Sequence, residues 1–260
     1  MPRTTDWRSP QAVDALLELD RADLAWEFLR RNPDYREDFR QSSQRVATGE
    51  ISEKAAMTEF SRRWGYPVAR DPDLSANESP TIWRPELIPL TVVLVPAPEV
   101  FPEAHELTAS DFAPARASVR STDGIQIVVE DPSGDHRVWL REPGEGQRLA
   151  ALLPLDEDFR LRVLGLVRFQ RRLVGRASGP PPKAWLITRR HRRRLILMVR
   201  ALDGHLAEAS YREIADALYG AEAVARYAWK TSSIRGQTIR LVKDAVRMMR
   251  GGYRELLRGD

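Results

Sequence analysis

The residues of this chain that could carry covalent chemistry are few and scattered. Its four histidines, His105, His136, His191 and His205, show no metal-ligand spacing, and there is no cysteine to form a disulfide or a thiolate metal site. Neither a phosphate-cradling Walker loop, nor GxGxxG, nor the GxSxG nucleophile turn occurs. The adjacent carboxylates Glu157 and Asp158 suit the electropositive start of a helix better than an acid/base couple, and Asp71 with Asp73 falls in a proline-rich loop. Trp7, Trp26, Trp64 and Trp83 suit core or interface anchoring better than ligand stacking. The sequence therefore predicts no catalytic residue, no metal and no cofactor, and the chain does not read as an enzyme.

What remains is a chemistry of charge. Residues 1–150 carry 18 Lys+Arg against 26 Asp+Glu, a balance of −8, whereas residues 151–260 carry 23 against 11, a balance of +12. A split of that size points to a polyanion as partner of the second half. A GC-rich coding bias would explain arginine over lysine, but not the collection of acids in the other half. The basic residues concentrate in a cluster, Arg189, Arg190, Arg192, Arg193 and Arg194, and in a later stretch holding Lys230, Arg235, Arg240, Lys243 and Arg247. Ser232, Ser233 and Gln237 interleave with that stretch. Arginine forks match phosphate oxygens and guanine edges, and glutamine matches adenine. These residues are the candidate contacts to double-stranded DNA; a solvated basic helix face is the plainer alternative.

Elements must exist to position them. Ser9-Pro10 and Asp20 read as helix starts, and Leu24, Trp26, Phe28 and Leu29 belong to a helix that stops at Asn32-Pro33; Tyr35 and Phe39 begin a third helix, and Ser52 caps a fourth closed by Gly65. Proline then recurs from residue 67 onward and forbids long helices. The runs 90–95, 125–130 and 137–141, the last two flanking an Asp-Pro-Ser-Gly-Asp turn, predict a small antiparallel sheet. Helical period returns at Asp156, through Phe159, Val163, Leu166, Val167 and Leu173. Beyond the Gly-Pro-Pro-Pro loop, Thr188 caps a helix expected to end at Asp203-Gly204. Ser210 and Glu213 form a capping box ahead of a short helix. A long connector with Val224, Tyr227 and Trp229 follows, and Ser232 or Ser233 caps a helix over 234–249. There Ile234, Thr238, Leu241, Val242, Ala245 and Met249 share one face, Gly236, Gln237, Arg240, Lys243 and Arg247 the other, and Arg235 sits on the border. The expected fold is α+β: an N-terminal helical module over 1–66, a proline-rich β section over 67–154, and an all-α C-terminal domain over 155–260. No run of 18 apolar residues crosses a membrane and no apolar leader opens the chain, so a cytoplasmic location is the simplest expectation.

Helix, turn, short helix, connector and longer basic helix is the order of a helix-turn-helix domain. The strings Asp6-Trp-Arg8 and Trp26-Glu-Phe-Leu-Arg-Arg-Asn-Pro-Asp-Tyr35 resemble the N-terminal module of a family of bacterial transcriptional regulators. Arg200-Ala-Leu-Asp-Gly204, Ser210-Tyr-Arg-Glu-Ile-Ala215, Trp229-Lys230 and Gly251-Gly-Tyr-Arg-Glu-Leu-Leu257 resemble its C-terminal extended-turn helix-turn-helix domain. The combination is similar to the FseA-type activators of integrative and conjugative element excision and transfer; the C-terminal domain type also occurs in a hexameric activator of type VI secretion genes. The resemblance implies a positive face on DNA, an opposite face docked on the N-terminal module, and small acidic antiactivators that compete for that docking. RNA polymerase is a further partner expected of an activator, and self-association is a further expectation. A plasmid replication or partition protein shares the same helix order, and a purely protein-binding antiactivator would carry an acidic C-terminal half.

The segment 26–35 is too short to bury its own Trp26 and Phe28, because a lone amphipathic helix is stabilised by packing elsewhere. It is expected to use Trp26, Phe28 and Tyr35 against Tyr253, Leu256 and Leu257; packing within the N-terminal half is the alternative.

Overall fold

The computed structural model describes residues 6–9, 11–67, 69–78, 81–121, 123–142, 144, 146–226 and 228–259. The readings made at Pro10 and Tyr227 lie outside them. Ten α-helices are assigned among the described residues: α1 (Gln11–Leu17), α2 (Arg21–Leu29), α3 (Pro33–Ala47), α4 (Glu53–Trp64), α5 (Phe159–Leu173), α6 (Arg189–Leu206), α7 (Tyr211–Tyr219), α8 (Ala221–Ala225), α9 (Ser233–Arg247) and α10 (Tyr253–Arg258). Five strands form one sheet: β1 (Val92–Pro96), β2 (Ala115–Ser121), β3 (Gly124–Val129), β4 (His136–Leu140) and β5 (Leu149–Leu152). The fold is α+β. The chain divides into two compact units, one of Met1–Gln41, Asp71–Ser79 and Ile187–Leu256, the other of Ser42–Arg70, Pro80–Leu186 and Leu257–Asp260.

Local chemistry sets most helix starts. The Asp20 carboxylate accepts from the Asp23 N–H at 2.8 Å, Ser52 from Ala55, Thr188 from His191, and Ser232 from Ile234. At α7 the capping box closes both ways: Ser210 Oγ accepts from the Glu213 N–H, and the Glu213 carboxylate accepts from the Ser210 N–H at 2.8 Å. Gly65 ends α4 at φ +81°, a left-handed conformation that favours glycine, and a Cβ there would displace the Leu87 side chain, 2.4 Å away at Cδ1.

In the second unit the sheet order is β2-β3-β4-β1-β5. The expectation of an antiparallel sheet holds for three of four pairings; β1 runs parallel to β4, with Val93 opposite Trp139. A hairpin requires sequence neighbours, and β1 is separated from β4 by the whole β2–β3 hairpin, which adds to the far side of β4. One sheet face carries Val92, Leu94, Ile127, Val129, Val138 and Leu140 and buries them with Phe169 of α5. Gly165 lets α5 come close: a Cβ there would lie 3.1 Å from the Leu90 carbonyl oxygen. The other face carries Gln126, Val128 and Trp139, and Arg137 donates from it to the Thr81 carbonyl at 2.5 Å.

The first unit is organised around α2, all nine residues of which are buried. Trp26 donates through Nε1 to the Leu74 carbonyl at 2.9 Å and meets Tyr35 edge-on, 5.4 Å between ring centres. Charges are enclosed with these rings. Glu27 accepts from Arg30 at 2.7 Å, from Arg31 at 2.6 Å and from the Ala76 N–H at 2.9 Å, and Arg31 reaches on to Asp203 of α6 at 2.6 and 2.9 Å. Arg192 donates to the Leu19 carbonyl, so residues 19 and 31 meet residues 192 and 203, and α2 runs alongside α6 in the same direction.

The expected stop at Asp203-Gly204 is not one: α6 continues to Leu206. Gly204 is there because helices and segments crowd it. An added Cβ would meet Ile214 Cγ1 at 2.9 Å and the Trp7 ring at 3.2 Å. Arg200, one turn earlier, donates to the carbonyls of Trp7, Arg8 and Ala217.

Burial pushes the Glu27 carboxyl up, but Arg31 and Arg30 outweigh it and hold the group at about 2, below the ordinary 4.5. A group depressed in the folded state stabilises the fold above its unfolded value, and the contribution is lost as pH falls through the folded one. Denaturant unfolding between pH 5 and pH 2 should show stability declining from about pH 4.5 downward, and Glu27→Gln should flatten that part of the profile. At neutral pH Glu27→Ala, which leaves the buried Arg30 guanidinium without its counter-charge and Arg31 with Asp203 alone, should cost about 3–5 kcal/mol.

Candidate nucleic-acid interface

The basic cluster occupies the first turns of α6, directly after the Thr188 cap. Arg189, Arg190 and Arg193 are exposed and make no ion pair among the described residues. Arg192 is half-buried, with its guanidinium on the Leu19 carbonyl, and Arg194 is paired with Asp244 of α9. The cluster is thus split: two of its arginines are engaged within the fold, and three project outward.

Helix α9 has the two faces expected. Thr238, Leu241, Val242 and Ala245 are buried, Thr238 donating to the Ile234 carbonyl at 2.8 Å, with Met249 buried just beyond the helix. Arg235, Gln237, Arg240 and Lys243 are exposed and carry no internal counter-charge among the described residues; Arg247 is exposed but paired with Glu255 at 2.6 Å. Ser232 spends its hydroxyl on the helix cap, while Ser233 and Lys230 are exposed. Gly236 sits beside Arg240, whose guanidinium lies 3.6 Å from where a Cβ would be.

α6 and α9 pack on each other, and between them lies a groove of about 620 Å³ that brings Arg190 and Arg193 together with Gln237 and Arg240. Sequence reasoning missed three groove residues. Tyr219 comes from the last turn of α7, His191 from within the arginine run, and Asp244 enters as the partner of Arg194. Burial, and then the charges of Arg21 and Arg194, hold the His191 imidazole below its ordinary value. No spacing in the sequence pairs Arg194 with a residue fifty positions on.

The residues expected at an interface with the C-terminal half, Trp26, Phe28, Tyr35, Tyr253, Leu256 and Leu257, are all buried. α2 lies against the turn 248–252, where Asn32 donates to the Met249 carbonyl at 3.1 Å.

A serine, histidine and aspartate also meet in the second unit, but not as a nucleophilic triad. Ser178 Oγ and Asp131 Oδ2 both face the same ring nitrogen of His136, Nε2, at 3.0 and 3.4 Å, and Ser178 donates to Asp131 at 2.7 Å. A triad needs the carboxylate on the other nitrogen. Burial, and next Arg168, push the His136 imidazole down to about 4, so it is neutral; with the Ser178 proton on Asp131, His136 donates from Nε2–H to Ser178 Oγ. The group latches the 131–136 turn to the chain beyond α5. Among the described residues no cluster of His, Cys, Asp or Glu has metal-binding geometry, and no helix is long and apolar enough to cross a membrane.

If the outward arginines meet phosphates, Arg190→Ala with Arg193→Ala should weaken binding to all duplexes alike and reduce the slope of log K against log salt by about 0.9 per lost contact. Arg192→Ala should instead lower the melting temperature, because its guanidinium holds the Leu19 carbonyl. A salt titration and a thermal melt separate the two.

Three stretches of the chain match known families. Residues 152–258, from the end of β5 through α10, match a family described as a type VI secretion system (T6SS) transcription factor DNA-binding domain. Residues 6–66 match a proteobacterial transcriptional regulator-like domain, and residues 90–151, which span the sheet, match a domain of unknown function, DUF7012. No curated protein matches the chain. The first two matches support DNA-binding transcriptional regulation.

Proposed function

We propose that the chain is a sequence-specific transcription activator that reads duplex DNA with α9, the reading helix of an extended-turn helix-turn-helix, while the start of α6 grips the backbone. The observation that carries this reading is the groove in which Arg190, Arg193 and Arg240, none of them paired inside the protein among the described residues, converge with Gln237. Buried α9 residues fix the helix so that one face is left for a ligand, and the ligand implied by forked cations and an amide is a base edge beside a phosphate. The positive end of the α6 dipole adds to the attraction for phosphate.

In this reading residues 155–260 carry DNA binding, 1–66 a regulator module and 67–154 a connecting β section, in a cytoplasmic protein. Activation requires contact with RNA polymerase, and the buried α2 segment is where a small acidic antiactivator would compete. The target genes are those of mobile-element excision and conjugative transfer. The match of residues 152–258 to a type VI secretion transcription factor domain favours secretion genes as the second reading, and with it a self-associated state.

Selection of bound duplexes from a random pool, followed by competition binding, tests the proposal. The full chain should enrich one motif, and Arg240→Ala should cost about 1–3 kcal/mol at a single position of that motif and relax preference there. Equal losses on the motif and on random duplex would return Arg240 to the phosphate backbone. Failure to enrich any motif would remove sequence-specific reading altogether.

A further inference from the structure

The face of the sheet turned away from α5 holds a polar side chain that bonds to none of the described residues. Gln126 of β3 is 7% exposed, and its side-chain amide makes no hydrogen bond among the described residues. Its amide atoms keep access to solvent, so they are available to a ligand in the cavity they border. It stands directly opposite Trp139 of β4 in the antiparallel register, so the two side chains lie next to each other on one face. Trp139 is pinned by its Nε1 donating to the Asp123 carbonyl at 3.0 Å.

Both residues line a cavity of about 450 Å³ between α4 and the sheet, a volume within the range of small-molecule sites, about 300–1,000 Å³. Met57 of α4 and the prolines Pro67 and Pro85 supply apolar wall. Gly65 brings those prolines together, because Arg84 donates from its N–H to the Gly65 carbonyl at 2.8 Å where the chain leaves α4. Lys54 and Arg62 stand at the cavity on α4, exposed and without ion-pair partners among the described residues; Arg84 is paired with Glu86.

We infer that this cavity is a binding site for a mononucleotide. An amide offers a donor and an acceptor in one plane, which complements the edge of a nucleobase. An indole beside it stacks a planar ring. Two uncommitted cations at the mouth suit a phosphate. The cavity belongs to the second unit and shares no residue with the basic groove of α6 and α9, so the inference stands apart from the DNA-binding reading.

Titration of the full chain with AMP, GMP, CMP and UMP, read by tryptophan fluorescence and calorimetry, tests it. At least one mononucleotide should bind saturably with a Kd below about 1 mM. Gln126→Leu and Trp139→Leu should each weaken it about tenfold or more, and Lys54→Ala with Arg62→Ala should weaken the mononucleotide more than the matching nucleoside. Because the Gln126 amide makes no hydrogen bond among the described residues, Gln126→Leu should melt close to the parent chain. Loss of ligand in that variant therefore reports on the site and not on folding. The inference is overturned if none of the four saturates by 10 mM, or if Gln126→Leu, folded as judged by its melt, binds as tightly as the parent. An equal effect of the Lys54/Arg62 pair on nucleotide and nucleoside would overturn the phosphate assignment and with it the mononucleotide.

Discussion

Glu27, Arg30 and Arg31 are charged, lie on or just after the most buried helix of the first unit, and have almost no access to water. Removing such charges from solvent costs more than any single contact returns, unless every group is paired. Here they are: Glu27 takes both arginines and the Ala76 N–H, Arg30 also reaches the Pro72 carbonyl at 3.1 Å, and Arg31 forks onto Asp203. The cluster ties three stretches distant in sequence, 27–31, 72–76 and α6. Hydrophobic packing around Trp26, Phe28 and Tyr35 supplies the larger stabilisation. The ion cluster supplies the uniqueness, because any slip of α2 along α6 would strand a buried charge.

Once α2 is fixed along α6, the rest of the unit follows. Arg200 holds the Trp7 segment, Gly204 lets Trp7 and Ile214 close against α6, and Asn32 holds the turn after α9. α6 and α9 then meet with the arginine-bearing start of one beside the polar face of the other. The chain uses arginine twice, for different ends. Arg30, Arg31 and Arg200 are buried and fully engaged, whereas Arg190, Arg193 and Arg240 face outward. Charge count alone does not separate the two uses; burial and partners do.

How far the sequence speaks for itself follows from which signals are local. Caps at Asp20, Ser52, Thr188 and Ser210 are legible because the chemistry spans three residues. The apolar face of α9 and the β3–β4 hairpin are legible because their periods repeat. The stop at Asp203-Gly204 fails for an instructive reason: an Asp-Gly pair serves a turn or a close helix crossing with an ion pair, and only the distant partners Arg31, Trp7 and Ile214 decide which. The parallel pairing of β1 with β4 is equally silent, since a strand's residues do not name its neighbour. β2, exposed along most of its length and without a large apolar run, gave no strand signal. In the candidate site the outward cations are visible as residue types. Their division into engaged and free is not, because Leu19, Asp244 and Glu255 are paired with Arg192, Arg194 and Arg247 by the fold.

The central claim is that the start of α6 and the exposed face of α9 together form the surface that meets duplex DNA. Amide hydrogen exchange of the full chain with and without saturating duplex tests it most directly, since protection maps the contacted backbone without altering any residue. The account predicts slowed exchange at residues 188–194 and along 233–243, with little change in the already buried α2. Protection confined to the sheet or to α4, with the α6 start and α9 unchanged, would contradict it.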